Sequence, residues 1–218
     1  AFGGSTRGLT LEDCDAVRVV RDGDPLPDGA AHPGALDLDP AATGLQLYTS
    51  GTTGRPKGVP RSHRADRAGA WSQALQHGYR QGDRTLGMMP LYHTMGVHSL
   101  LAMHLVGGCF VPLARWDAGD ALGLIERERI TSLYLAPTLF HDLVHHAQLG
   151  EHDVSSVRAL GYAGAAMTSA VVARCTAAFD PEVFVNHYGS TEIYTYSIGA
   201  DQRAKPGCAG RPAVNVRL

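Results

Sequence analysis

An α/β fold built around a parallel sheet is the architecture this sequence predicts, and three observations predict it. Strand-like apolar runs at 45–49, 84–89, 108–113, 130–135, 157–162 and 182–187 alternate with stretches of helical character at about 62–78, 95–106, 118–129, 138–149 and 168–179. Single strands separated by helix-length spacers suit βα units, whose sheets are covered on both faces. Hydrophobic residues at 44% supply a core for those layers, and a charged fraction of 18% gives no sign of disorder.

The elements follow in order. Residues 1–44 are rich in Gly, Asp, Pro and Ala, with one strand-like patch at Ala16–Val20 and an irregular linker over Arg21–Thr43. They are set apart from a core over 45–218. Arg61, Arg64 and Arg67 fall where a solvated helix face is expected. The most apolar stretch, Met95–Ala114, is interrupted by His98, His104, Gly107, Gly108 and Pro112, so it reads as helix, turn and buried strand rather than a membrane span. Asp117 is placed to cap the third helix, and Thr168 or Ser169 the last. Ligands of such sheets sit beyond the carboxyl ends of the strands, where the loop at Ser50 is expected.

Composition removes several function classes. A formal charge of −2 leaves no basic footprint for nucleic acid. Cys14, Cys109, Cys175 and Cys208 lie far apart without a CxxC pair, which points to free thiols in a reducing cytoplasm. Residues 1–16 contain no apolar signal segment. His141 and His145 stand four apart near His146 and His152, but without an HExxH pattern a solvated helix face outweighs zinc. No GxSxG elbow supports a serine hydrolase.

The chemistry concentrates in three stretches. Tyr48–Val59 reads YTSGTTGRPKGV. Thr49, Ser50, Gly51, Thr52, Thr53 and Gly54 form a loop whose glycines let the backbone approach an anion closely. Its N–H groups and hydroxyls add donors, and Lys57 adds a compact charge suited to phosphate. The Walker motif needs Gly-Lys followed by Ser or Thr, and here Pro56 and Gly58 flank Lys57. The second stretch, Asn186-His187-Tyr188-Gly189-Ser190-Thr191-Glu192, offers an amide, an aromatic face, hydroxyls and a carboxylate at a strand's end. Those groups suit a nucleotide and Mg²⁺, and equally make a good turn. The third, Met89-Pro90-Leu91-Tyr92-His93-Thr94-Met95-Gly96, carries a histidine at the start of a helix.

Taken together, these stretches resemble the signatures of the adenylate-forming enzymes, the family of acyl-CoA synthetases, luciferases and peptide-synthetase adenylation domains. The resemblance runs from about Leu45 to Leu218 and is nearest to the benzoate-type aryl-CoA ligases. It implies the parallel-sheet-rich βα core of that family's large domain, in incomplete form. Lys57 would then bind phosphate, with Thr49–Gly54 as the phosphate loop. Tyr188 would stack on adenine, Asn186 would bond its exocyclic amine, Thr191 would contact the α-phosphate and Glu192 would hold magnesium. His187, Gly189 and Ser190 complete the nucleotide side, and Gly164 and Ala165 lie in a matching glycine-alanine segment over Gly161–Ala166. His93 matches a PLYH segment between the nucleotide and acyl sites. Amino-acid-activating members resemble FDxS there, so an amino-acid substrate is not implied.

By position the acyl pocket would include His93, Thr94, Met95, Tyr134, Ala163, His187, Tyr194 and Thr195, with Trp71 a weaker candidate. Hydrogen-bonding His187 and Tyr194 lead to the expectation of an aromatic acid bearing a hydroxyl or amino group. The implied activity uses ATP, Mg²⁺, a carboxylic acid and coenzyme A, with no nucleic-acid or membrane partner. The sequence is compatible with a homodimer. Transfer of the adenylate to a carrier protein, or nucleotide binding without catalysis, are the alternatives. Retention of Lys57, Thr191 and Glu192 together speaks against the last. Family members continue into a small barrel and a mobile C-terminal domain with a catalytic lysine, so weak nucleotide binding and poor turnover are expected of these 218 residues.

Overall fold

The computed structural model describes residues 38–49, 55–199, 201–214 and 216–217, all but Leu38 within the unit Asp39–Leu218. It opens with two strands, β1 (Thr43–Thr49) and β2 (Lys57–Ser62), paired antiparallel so that Thr49 faces Lys57 and Leu47 faces Val59. Residues 50–54 join them and lie outside the described residues, as does the strand expected at Ala16–Val20. The hairpin corrects one expectation. β1 forms its own two-stranded sheet and is not a member of the parallel sheet, so the Ser50 loop does not extend one of that sheet's strands. Pro60 disguised β2 as a loop; such a residue is tolerated in a two-stranded ribbon, where many N–H groups need no partner.

Ser62 ends the hairpin and caps α1 (His63–Gln76), accepting from the Ala65 N–H at 3.2 Å. The chain then alternates as β3 (Arg84–Gly87), α2 (Thr94–Leu105), β4 (Cys109–Pro112), α3 (Ala118–Glu128), β5 (Ser132–Leu135), α4 (Pro137–His145), β6 (Ala159–Ala163), α5 (Ser169–Phe179) and β7 (Val183–Tyr188). Asp117 caps α3 and Thr168 caps α5. Two short strands follow, β8 (Ser197–Ile198) and β9 (Arg211–Pro212). The sheet runs β4-β3-β5-β6-β7-β8-β9, with β4 through β7 parallel and the last two pairings antiparallel. β4 is a half-buried edge strand, where a buried one was expected.

The period of two along each strand sorts side chains between two layers. Leu133, Leu135, Leu160, Tyr162 and Phe184 join Leu122, Ile125, Phe140, Leu143 and Val172 of α3, α4 and α5 in the main core. The intervening positions, among them Tyr134, Gly161, Ala163 and His187, face the layer of α1 and α2. Tyr134, Ala163 and His187, which line a cleft at the strand ends, therefore sit on the second face. Among the described residues no helix is long and apolar enough to cross a membrane. Cys109, Cys175 and Cys208 are free thiols.

Candidate active site

A cleft of about 390 Å³ opens at the carboxyl ends of the central parallel strands. Four stretches wall it: His93, Thr94 and Met95 at the start of α2, Tyr134 of β5, Ala163–Ala166 at and after the end of β6, and Asn186–Thr191 from β7 into the next loop. The second and third sequence signatures and the glycine-alanine segment thus meet in one place, because the register of β6 and β7 brings the second signature beside that segment. Tyr162 pairs with Asn186, and Ala163 with His187.

His93 is the N-cap of α2, its Nδ1 accepting from the Met95 N–H at 3.2 Å. That contact assigns the proton of the neutral ring to Nε2. Desolvation holds the imidazole below its ordinary pKa, so it stays a cap acceptor at neutral pH. His93 sits at the rim with a donor to spare.

The loop after β7 is held tightly. A Cβ on Gly189 would collide with the carbonyl oxygen of Tyr194, so only glycine fits this turn. The Ser190 N–H donates to Ile193 O at 2.9 Å, and Ser190 Oγ lies 3.2 Å from the Tyr196 hydroxyl. Tyr188 lines the cleft and is exposed, its ring 5.4 Å from that of Tyr196. Thr191 lines the cleft while its carbonyl accepts from Arg61. Arg61 is buried, 6% exposed, and paired with Asp66 at 2.5 Å, which corrects its expected place on a solvated helix face; Arg64 and Arg67 do lie exposed on α1.

Glu192 is exposed and does not line the cleft. No group of three or more metal-binding side chains occurs among the described residues. One exposed carboxylate beside Thr191 suits magnesium that arrives with nucleotide phosphates and keeps its waters, but not a cation held by protein alone. Lys57 is exposed at the start of β2, facing half-buried Thr49 across the hairpin. Neither is in the cleft wall. Ser50, Gly51, Thr52, Thr53 and Gly54 lie outside the described residues.

Behind the cleft the polar groups are already engaged. His187 is 2% exposed, with Nε2 2.7 Å from Thr195 Oγ1 and Nδ1 3.3 Å from Nε2 of His77. Its ring stacks on Tyr134 at 5.5 Å between centroids. Burial pushes the His77 imidazole down to about 3 and, with the neighbouring histidines, carries His187 well below its usual range. Both are neutral. The Tyr194 hydroxyl donates to Gln73 Oε1, and its ring stacks on His98 at 3.6 Å.

Tyr194 and Thr195 therefore lie beneath the cleft rather than in its wall, and Trp71 is exposed on α1 away from it. With both nitrogens of His187 engaged, a ligand meets its ring and not a free hydrogen-bonding atom. The end of the cleft formed by Tyr134, Met95, Ala163 and His187 therefore offers fewer free polar groups than the sequence led us to expect. His77, Gln73, Arg61 and Asp66 build this support and carried no local signal, because each is a single polar residue whose partners are distant in sequence. His141 and His145 stack their rings at 4.1 Å, with His145 Nδ1 2.8 Å from the His141 carbonyl oxygen, so they share a surface contact within α4.

Fold and cleft define an α/β domain with a cleft across strand ends and the loops that follow them. Residues 10–218 match the model of the AMP-binding enzymes, and the chain belongs to that family. It is 38% identical over 157 residues to the 4-chlorobenzoate–CoA ligase of Pseudomonas sp. (strain CBS-3), covering 71% of this chain and 30% of the relative. The medium/long-chain-fatty-acid–CoA ligase FadD8 of Mycobacterium tuberculosis is 28% identical, with 95% and 40% covered. Among solved structures, the inhibitor-bound N-terminal domain of FACL13 from Mycobacterium tuberculosis superposes with a TM-score of 0.75 at 26% identity, covering 82% of this chain and 45% of that one. The chain thus spans between 30% and 40% of the length of these two curated relatives.

Proposed function

We propose that this chain carries the nucleotide- and carboxylate-binding part of an AMP-forming carboxylic acid–CoA ligase. The observation that carries the reading is the single cleft in which His93, the segment Ala163–Ala166 and the stretch Asn186–Thr191 converge. Family membership and the CoA-ligase names of the relatives support it. In this reading Tyr188 stacks on adenine, Asn186 accepts from its amine and Thr191 meets the α-phosphate. Lys57 and the loop after Thr49 neutralise the β- and γ-phosphates, and Glu192 contacts magnesium carried by ATP. Magnesium, when bound, supplies charge neutralisation at the phosphates.

The reaction proceeds in two displacements. A carboxylate oxygen attacks the α-phosphorus, the bond to pyrophosphate breaks, and an acyl-adenylate forms. The sulfur of coenzyme A then attacks the acyl carbon; the thiol proton is lost and AMP departs with the former carboxylate oxygen. Preorganised donors around the α-phosphate lower the first barrier, because charge accumulates there in the transition state. The carboxylic acid we assign is aromatic, lying against Tyr134 and the ring of His187 with Ala163 leaving room. A polar ring substituent is not required, since His187 and Tyr194 have no free hydrogen-bonding group facing the cleft. Free thiols fit a reducing cytoplasm.

The test is magnesium-dependent ATP–pyrophosphate exchange by the full-length ligase that carries this region, across a panel of benzoates, fatty acids and amino acids. Exchange with benzoates that is reduced at least tenfold by Lys57→Ala is the expected result. Exchange indifferent to Lys57, or supported only by amino acids, would overturn the assignment.

A further inference from the structure

A buried glutamine follows β8 and lies against β7. Gln202 is 0% exposed, and its main-chain N–H donates to Phe184 O of β7 at 2.8 Å. Its Oε1 accepts from the Tyr162 hydroxyl at 2.7 Å and from the Gly207 N–H at 2.9 Å. Its Nε2 donates to the carbonyl of Cys208 at 3.0 Å. A backbone N–H can only donate and a carbonyl only accept, so these partners fix which end of the amide is which.

The Cys208 carbonyl has a second visitor. The side-chain nitrogen of Asn186 lies 3.4 Å from it and must be the donor. Asn186 lines the cleft, and this orientation leaves Oδ1 as the group that can accept from a ligand. Gly199 seals the arrangement. Its N–H donates to Asn186 O at 2.6 Å, and a Cβ there would lie 2.6 Å from Gln202 Nε2 and 2.7 Å from Cys208 O.

We propose that Gln202 is a positioning residue for base recognition: by holding the Gly207–Cys208 turn it sets the Asn186 amide with its oxygen toward the ligand, selecting a purine that carries an exocyclic amine. The inference rests on the nucleotide reading above. A base with a carbonyl at the same place, as in hypoxanthine, would oppose oxygen to oxygen and be rejected. Gln202 touches no ligand; it acts through Cys208 and Asn186.

The experiment measures AMP and IMP affinities of the whole chain by NMR titration at millimolar ligand, with Asn186→Ala and Gln202→Met beside it. The unaltered chain should prefer AMP by roughly fivefold, the worth of one neutral hydrogen bond. Both variants should bring that ratio close to one. A merely structural role for Gln202 would weaken AMP and IMP alike and leave the ratio unchanged. No preference for AMP in the unaltered chain would overturn the nucleotide reading and this inference with it. A preference lost in Asn186→Ala but kept in Gln202→Met would overturn the positioning role alone. Should Gln202→Met fail to fold, hydrogen exchange of the Asn186 side-chain amide in the unaltered chain decides. Protection supports the bond to Cys208, and exchange at the rate of an exposed amide overturns it.

Discussion

Arg61 donates from Nη1 to the main-chain oxygen of Thr191 across 3.3 Å, joining residues 130 positions apart. The contact ties the hairpin that bears Lys57 to the loop that bears Thr191, so the two halves of the proposed phosphate site share one support. Asp66 holds the same guanidinium at Nε and lies 3.4 Å from Nε2 of His98. Burial alone would raise the Asp66 carboxyl, and the adjacent His98 imidazole together with the hydrogen-bonded Arg61 guanidinium outweigh it, leaving the pKa below its ordinary value. Removing one partner of such a pair strands the other charge. Arg61→Met should cost about 3 kcal/mol in urea unfolding, and Arg61→Met with Asp66→Leu should cost less than Arg61→Met alone. A single variant as stable as the parent would show the pair to be dispensable.

Tyr194 separates what the sequence shows from what only packing decides. Alternating apolar runs and helix caps were readable because they are local: Asp117 and Thr168 cap α3 and α5 where their patterns place them. The cleft was also readable, because its walls are contiguous motifs. The depth of a side chain below that wall was not, since it depends on how α1 and α2 pack beneath it. Gln73 and His98 draw Tyr194 inward, and no pattern in the sequence links those three positions. The same holds for β2, whose pairing with β1 outweighs the turn-like composition of Lys57–Ser62.

That placement has a measurable consequence. Tyr194→Phe removes a hydroxyl bonded to Gln73 and should cost about 1 kcal/mol of stability while leaving the order of preference among carboxylates intact. Ala163→Phe should do the reverse, filling the acyl end of the cleft and abolishing benzoate-stimulated exchange while AMP binding persists. A change of carboxylate preference in Tyr194→Phe would return its hydroxyl to the ligand.

The neutral pair His77 and His187 gives the fold a pH dependence whose sign is fixed. An unfolded histidine protonates near 6.5, whereas His77 in the fold does so only near 3 and His187 is also strongly depressed. Below pH 6.5 the unfolded chain therefore binds more protons, and stability falls as pH drops from about 6.5 toward 3. Above pH 6.5 these two groups contribute no slope. Each can remove up to about 1.4 kcal/mol per pH unit within that window. His77→Gln should flatten the decline in unfolding free energy between pH 6.5 and 4.5. An unchanged slope in that variant would show that His77 already carries a proton in the fold.

Gly161 sets how closely α1 approaches the sheet, and through it the position of His187. A Cβ at this position would press into the His77 ring, 2.6 Å from Nδ1, and meet Tyr134 Cδ2 at 3.1 Å. Neither ring can yield freely, because His77 is bonded to His187 and packed edge-on to Tyr134 at 4.9 Å. Gly161→Ala should cost about 1–3 kcal/mol, the usual penalty for overfilling a packed interior. The displaced His77 should also shift His187 at the cleft wall, so benzoate-stimulated exchange should fall by more than AMP affinity does. Pairing Gly161→Ala with His77→Ala frees the space and should recover part of the lost stability. Failure of that double variant to regain any stability would place the strain elsewhere than at His77.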